Sequence, residues 1–229
     1  MPCCFHAARP SPFEHFDPGC PLNIPDSELV EFPKSSGNQW CRFHLPLNGH
    51  NGVGSPKMRW SEKGSEDFNL EIIREIERAR ESNKAADLSG VVFPEYNFFT
   101  LDFSFNRNWP AISFSGASFP SFDLLGNAQF SEISFDHDVT FKNAQFNGAA
   151  WFSRSKFGAA SFDGARFEQG VSFRGASFSG YASFVGVTFM CAASFHETYF
   201  GGNFIFNQVS VAGKAAFSGS RSVSNDAKE

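Results

Sequence analysis

No stretch of this chain approaches the roughly 20 consecutive apolar residues that a membrane-spanning helix needs. Its first residues, Met1-Pro2-Cys3-Cys4-Phe5-His6, hold no basic region followed by an apolar one. No secretory signal is therefore expected, and the chain reads as cytoplasmic. Concentrated charge is also lacking. Residues 1–65 carry six acids and six bases, residues 66–85 six and four, residues 86–219 ten and seven, and residues 220–229 two and two. Without a basic patch, direct nucleic-acid binding is not expected. With a net charge of −5, no segment is strongly acidic either. Cysteine is sparse: there are five, and Cys3, Cys4, Cys20 and Cys41 fall in the first 41 residues. An odd number without an export signal argues for thiols or metal ligands rather than a disulfide framework.

Tyrosine and tryptophan are few, at three and four, whereas phenylalanine numbers 31. An ordinary core mixes Leu, Ile, Val and Phe for shape, so this excess reads as one structural slot filled many times. The 229 residues suffice to bury a substantial core in one domain or two. The slot is visible as a repeat that begins at Ala86-Asp87-Leu88-Ser89-Gly90 and runs through units such as Ala117-Ser118-Phe119, Ala144-Gln145-Phe146 and Ala176-Ser177-Phe178-Ser179-Gly180. A central apolar residue recurs every five or six positions, and two positions before it the residue is small or β-branched, as at Ala165, Val171, Ala182 and Val187.

A period of five fits neither a helix nor a simple strand. It fits a strand of about two residues followed by a tight turn, with the centre and the position two before it both pointing inward. Four such sides close one coil. Taking every fourth unit gives Leu88, Trp109, Phe130, Phe152, Phe173, Phe195 and Phe217, and beside it Phe93, Phe114, Phe135, Phe157, Phe178 and Phe200. Both columns advance 21 or 22 residues per step. Each column predicts a ladder of rings about 4.8 Å apart, in a rod of about six coils. The extra residue of the six-residue units (Asp138, Gly170, Tyr181, Ala192, Asn203, Lys214) falls mostly on alternate units, which predicts a rectangular section. An 11-residue period closing a flatter, two-sided coil is the alternative.

The pattern resembles the pentapeptide-repeat family, whose unit is A-(D/N)-L-x-x with Leu or Phe at the centre. Ala86-Asp87-Leu88-Ser89-Gly90 matches that unit, and later units look like a Phe-centred branch with alternating five- and six-residue spacing. The resemblance implies an all-β, right-handed quadrilateral β-helix. It implies little about activity, since members of the family share a scaffold rather than a chemistry. Some members mimic DNA and bind type II topoisomerases, protecting them from quinolones. That role needs a dense acidic surface, which ten acids against seven bases in residues 86–219 do not provide.

The flanks differ in kind. Residues 66–82 read as a helix with Ser65 as its N-cap, acids in the first turn and Arg78, Arg80 and Lys84 near the end. Its stripe of Phe68, Ile72, Ile73, Ile76 and Ala79 suits a lid over the first coil. The expected organisation is an irregular leader over 1–64, a capping α-helix over 65–84, the repeat solenoid over 85–219 and a disordered tail over 220–229. The polar tail offers no second lid, so a homodimer through the C-terminal end of the solenoid is expected.

Candidate chemistry is confined to the leader. Cys41-Arg42-Phe43-His44 has C-x-x-H spacing, and Cys20 together with Cys4 completes a four-donor set for a structural zinc. Cys3-Cys4-Phe5-His6 is another C-x-x-H, and reduced cysteines without metal are the alternative. Within the repeat, His137 with its flanking Asp136 and Asp138 reads as a solvated turn, and His196 and Cys191 are expected on different sides of the coil. No nucleophile–base pair or phosphate loop emerges. The expected function is a non-catalytic protein-binding or scaffold module with an unknown protein partner. The alternatives are a topoisomerase-directed DNA mimic, or an enzyme or effector whose chemistry lies in the leader.

Overall fold

The computed structural model describes residues 20, 22, 24, 26–48, 53–94, 109–119 and 128–223. Two-residue strands dominate it, and they pair in parallel into four ladders, one of six strands and three of five. The first ladder stacks Ala86–Asp87, Ile112–Ser113, Val139–Thr140, Ala160–Ser161, Ala182–Ser183 and Phe204–Ile205. Ser118–Phe119, Gln145–Phe146, Arg166–Phe167, Thr188–Phe189 and Ser210–Val211 form the second. The third and fourth start at Ala128–Gln129 and Ser134–Phe135 and end at Ala215–Ala216 and Arg221–Ser222. The chain visits them in the order one, two, three, four, so each circuit is one coil of a quadrilateral β-helix. This excludes the flatter, two-sided alternative.

Strands this short carry little intrinsic stability, and their order comes from what they bury. Along the third ladder, Phe130, Phe152, Phe173 and Phe195 stack at 5.0 Å between successive ring centroids, and Phe217 follows at 4.7 Å. Rings of the first and third ladders also meet across the axis edge to face, as in Phe141–Phe152 at 5.4 Å and Phe162–Phe173 at 5.2 Å. Both geometries suit the ring quadrupole. The residue two before each centre is small because it points into the same section. Ala117, Ala144, Ala165 and Val187 are all fully buried there. Ser155 and Thr198 occupy that position with a hydroxyl, and each donates to a carbonyl of the adjacent coil, at Phe130 and Phe173 respectively.

Opposite corners of the coil use two different turns. After the first and third ladders the residue two beyond the centre has positive φ, as at Gly164, Gly186 and Gly219 and, without glycine, at Glu132, Arg154 and Gln208. The other two corners carry the six-residue spacing. There Gly180 approaches the coil below so closely that a Cβ would sit 2.8 Å from the Gly158 carbonyl oxygen.

The register differs from the sequence reading in the first coils. Ala86 pairs with Ile112 and Ile112 with Val139, steps of 26 and 27 residues. Leu88 therefore does not head the ladder of Phe130, Phe152, Phe173, Phe195 and Phe217. It belongs with Phe114 and Phe141. Likewise Phe93 stacks on Phe119 at 4.8 Å rather than joining the ladder of Phe135. An extra pentapeptide-length of chain lies in each of the first two coils, within 94–109 and 119–128, so the same residues make fewer coils than expected. Trp109 is buried, at 4% exposure, and the repeat centres Phe98, Phe103 and Leu124 lie outside the described residues.

Among the described residues one α-helix, α1 (Glu62–Glu81), covers the first coil. Its N-cap is Ser61, whose hydroxyl accepts from the Gly64 amide at 3.2 Å, so the helix starts one turn before the expected Ser65. Gly64 hides that turn from propensity arguments. At the other end Asn83 takes the left-handed conformation, and the Lys84 amide reaches back to the Ala79 carbonyl at 2.8 Å. Phe68, Ile72 and Ile76 are buried, and Phe68 meets Phe93 edge to face at 6.0 Å. The described part of the leader holds regular elements that were not expected. Val30–Glu31 and Gln39–Trp40 form a small antiparallel hairpin (β1 and β2), and Pro56–Arg59 forms a 3-10 turn capped by Ser55. At the far end Arg221–Ser222 still pairs with Tyr199–Phe200, so the solenoid extends into the expected tail.

Two substitution pairs test this packing. Phe162→Ala, in the middle of the stack, should cost about 3–5 kcal/mol, whereas Phe217→Ala, 37% exposed on the last coil, should cost far less; chemical denaturation reads both. Gly180→Ala should destabilise more than Gly186→Ala. An added Cβ at Gly186 meets nothing within 4 Å and pays only for its positive φ, about 1–2 kcal/mol. Equal costs would contradict the corner assignment.

Candidate functional site

The residues singled out in the leader converge on the first coil. Cys41 and His44 bracket a turn in which the His44 and Leu45 amides both bond the Cys41 carbonyl, at 3.1 and 2.9 Å. That turn brings both side chains to the same side. Cys41 Sγ lies 3.1 Å from His44 Nδ1, and Cys20 Sγ lies 3.8 Å from Cys41 Sγ and 3.4 Å from His44 Nδ1. Cys41 and His44 are buried and Cys20 is half-buried. Among the described residues these three form the one cluster of metal-type donors. Cys4, the fourth donor named from the sequence, lies outside the described residues.

The far side of the imidazole is anchored to the solenoid. His44 Nε2 lies 3.2 Å from the Ser89 carbonyl oxygen. A carbonyl only accepts, so Nε2 carries the proton and Nδ1 presents its lone pair to the two sulfurs. The Phe43 carbonyl accepts from the Val92 amide at 2.8 Å, which ties the same turn to the first coil.

Beneath the turn lies a residue that sequence reasoning missed. Lys57 is 1% exposed, and its ammonium donates to the carbonyls of Arg42 (2.5 Å), Phe43 (3.2 Å) and Val92. It also sits 4.6 Å from the Phe68 ring centroid and 5.4 Å from that of Trp60. Three carbonyls and two ring faces offset part of the desolvation, but burial still pushes its pKa well below the ordinary lysine value, against a smaller upward pull from Cys41. No sequence pattern flags such a lysine, because its acceptors come from residues 14 to 35 positions away.

On the outer side of α1 a cleft of about 430 Å³ is lined by Arg42, Arg59, Trp60, Asp67 and Glu71. Arg42 bridges Glu71 at 2.9 Å and Glu28 at 3.2 Å. Burial raises the Glu71 pKa, and Arg42 opposes the rise. The cleft is an ion-pair seam between leader and helix, and the Ser61 hydroxyl on its wall is engaged as the N-cap of α1.

Along the solenoid His137, Cys191 and His196 lie at three different corners. Asp136, His137 and Asp138 are all exposed at one corner, and Asp136 accepts from the Ser134 hydroxyl at 2.8 Å. His196 sits at another corner beside Glu197, 3.3 Å away, and the Cys191 thiol donates to the Glu168 carbonyl at a third. Outer charges pair between coils, Arg154 with Glu132 at 2.5 Å, Lys142 with Asp163 at 3.8 Å and Arg174 with Glu197 at 3.7 Å, and within one coil Arg166 pairs with Glu168.

Comparison with known proteins agrees with the architecture. A family model described as pentapeptide repeats (9 copies) matches residues 130–177 and 157–198, the evenly stepped middle of the solenoid. Among curated proteins, no sequence matches the chain.

Replacing the buried lysine tests the tie between leader and coil. Lys57→Met removes this donor from the Arg42 and Val92 carbonyls, while the Phe43 carbonyl keeps the Val92 amide, and at about 1–3 kcal/mol for each buried unsatisfied acceptor the fold should lose about 2–6 kcal/mol. The pH response should also change. Folded protein holds this proton less tightly than the unfolded chain, so the wild type gains stability as pH rises toward 10.5. Lys57→Met should lack that gain, and melting temperatures across an alkaline series read both effects.

Proposed function

We propose that this pentapeptide-repeat protein acts as a protein-binding scaffold, and that its last coil is the surface through which it pairs with a second copy of itself. Supporting this is the distribution of exposed apolar side chains. Ile205, Val211, Phe217 and Val223 are 37–54% exposed, and all lie in the last coil. On the sides of the rod the exposed Trp151, Tyr181, Met190 and Tyr199 are scattered singly, as on many soluble surfaces.

The last coil is also built unlike the others. Phe204 fills the position that Val139, Ala160 and Ala182 hold in earlier coils, and lies 4.0 Å from Phe200. The displaced Phe206 tilts 48° from Phe184, where lower rings of that ladder stack nearly parallel. Phe217 stacks on Phe195 at 4.7 Å and 3°, and among the described residues no ring covers its outer face. The section that best complements this end is another end of the same chain, because it presents matching ladders at matching spacing. Strand edges and rings are covered together in such a pair.

A topoisomerase-directed mimic of DNA is disfavoured by the outer ion pairs, which neutralise Glu132, Asp163, Glu168 and Glu197. The protein should leave gyrase supercoiling unaffected. The scaffold reading is tested by mass in solution. Light scattering at micromolar concentration should give twice the chain mass of 25.3 kDa. Phe217→Lys should return one chain without unfolding the rod. A wild-type mass of one chain contradicts the pairing.

A further inference from the structure

We infer that Cys20, Cys41 and His44 hold a zinc ion that staples the leader to the first coil. The donor geometry carries this. Zinc bonds thiolate sulfur at about 2.3 Å and imidazole nitrogen at about 2.0–2.1 Å in a tetrahedron, so its sulfur–sulfur edges are about 3.8 Å and its sulfur–nitrogen edges about 3.5 Å. The three atoms lie 3.8, 3.4 and 3.1 Å apart, so one ion reaches all of them with little adjustment.

The surroundings fit the same ion. Metal-bound histidines donate their second ring N–H to a carbonyl or carboxylate, and His44 Nε2 already does so to Ser89. A turn closed by two amides onto the Cys41 carbonyl fixes the spacing of Cys41 and His44 before any metal arrives. Lys57 holds the Arg42 and Phe43 carbonyls of that turn from beneath. Two thiols with one imidazole select a soft or borderline cation and disfavour magnesium or calcium.

On binding, two zinc–sulfur bonds form and the two S–H protons pass to water. The dithiolate–zinc unit is then neutral, which suits a buried setting. No oxidant is involved. Cys20 and Cys41 are 21 residues apart and His44 bonds a residue 45 positions away. The ion therefore fastens Cys20 and the Cys41–His44 turn to a coil that the repeat alone would leave dependent on α1.

The test uses the full chain, purified under reducing conditions after growth with added zinc. The expected result is one zinc per chain by elemental analysis, and replacement by cobalt(II) giving the intense visible absorption of a tetrahedral thiolate site. Cys20→Ser, at the half-buried ligand, should lower zinc affinity at least tenfold while the circular dichroism of the rod is kept. A chelator should lower the melting temperature of the wild type and leave that of Cys20→Ser unchanged. Zinc well below one equivalent overturns the site, as does a Cys20–Cys41 disulfide in the reduced preparation, or a Cys20→Ser chain that keeps wild-type affinity. Should Cys20→Ser fail to fold, the chelator response of the wild type still decides.

Discussion

A coil of this solenoid cannot cover its own rings. Each inward Phe presents two faces along the rod axis, and only the coils on either side can bury them. The close stacking of Phe141 on Phe162 and of Phe162 on Phe184, both at 5.0 Å, is therefore the contact on which the rest depends. It dictates the small residue two positions before each centre, since a second large side chain would force the rings apart. It also dictates how closely the corners approach, because rings at that spacing bring Gly180 against Gly158 with no room for a Cβ.

The same dependence explains why the two ends differ from the middle. At the first coil the exposed faces of Leu88 and Phe93 need a cover that is not another repeat. They receive Phe68, Ile72 and Ile76 from α1, with Phe43 packed beside them in the core. The leader is thus part of the lid rather than an appendage to it. Lys57 and His44 make that plain, since each bonds a carbonyl of the first coil, at Val92 and Ser89. At the last coil the ring order relaxes around Phe204, and apolar side chains come to the surface together.

Most of the architecture was legible in the sequence because a repeat writes its contacts at a fixed stride. From Phe130 onward, ladder steps of 21 and 22 residues could be counted directly, and Phe130, Phe152, Phe173, Phe195 and Phe217 stack as counted. Before Phe130 the count misled. A surplus unit cannot be told from the others in sequence, since every unit places an apolar residue, mostly Phe or Leu, at its centre. Only backbone pairing of Ala86 with Ile112 reveals the longer step. In the leader, the C-x-x-H spacing of Cys41 and His44 was readable and Cys20 could be named as a further donor, whereas the anchoring of His44 on Ser89 and the burial of Lys57 were not. Those contacts join residues distant in sequence and follow no period.

The claim that stacked rings rather than the short strands hold the rod together is open to direct measurement by native-state hydrogen exchange, at a concentration where single chains predominate. The account predicts graded protection: highest for the Phe162, Phe173 and Phe184 amides, intermediate in the first coil under α1, and lowest for Ser210 and Arg221, although all of these amides bond a neighbouring coil. Uniform protection from the first coil to the last would contradict it.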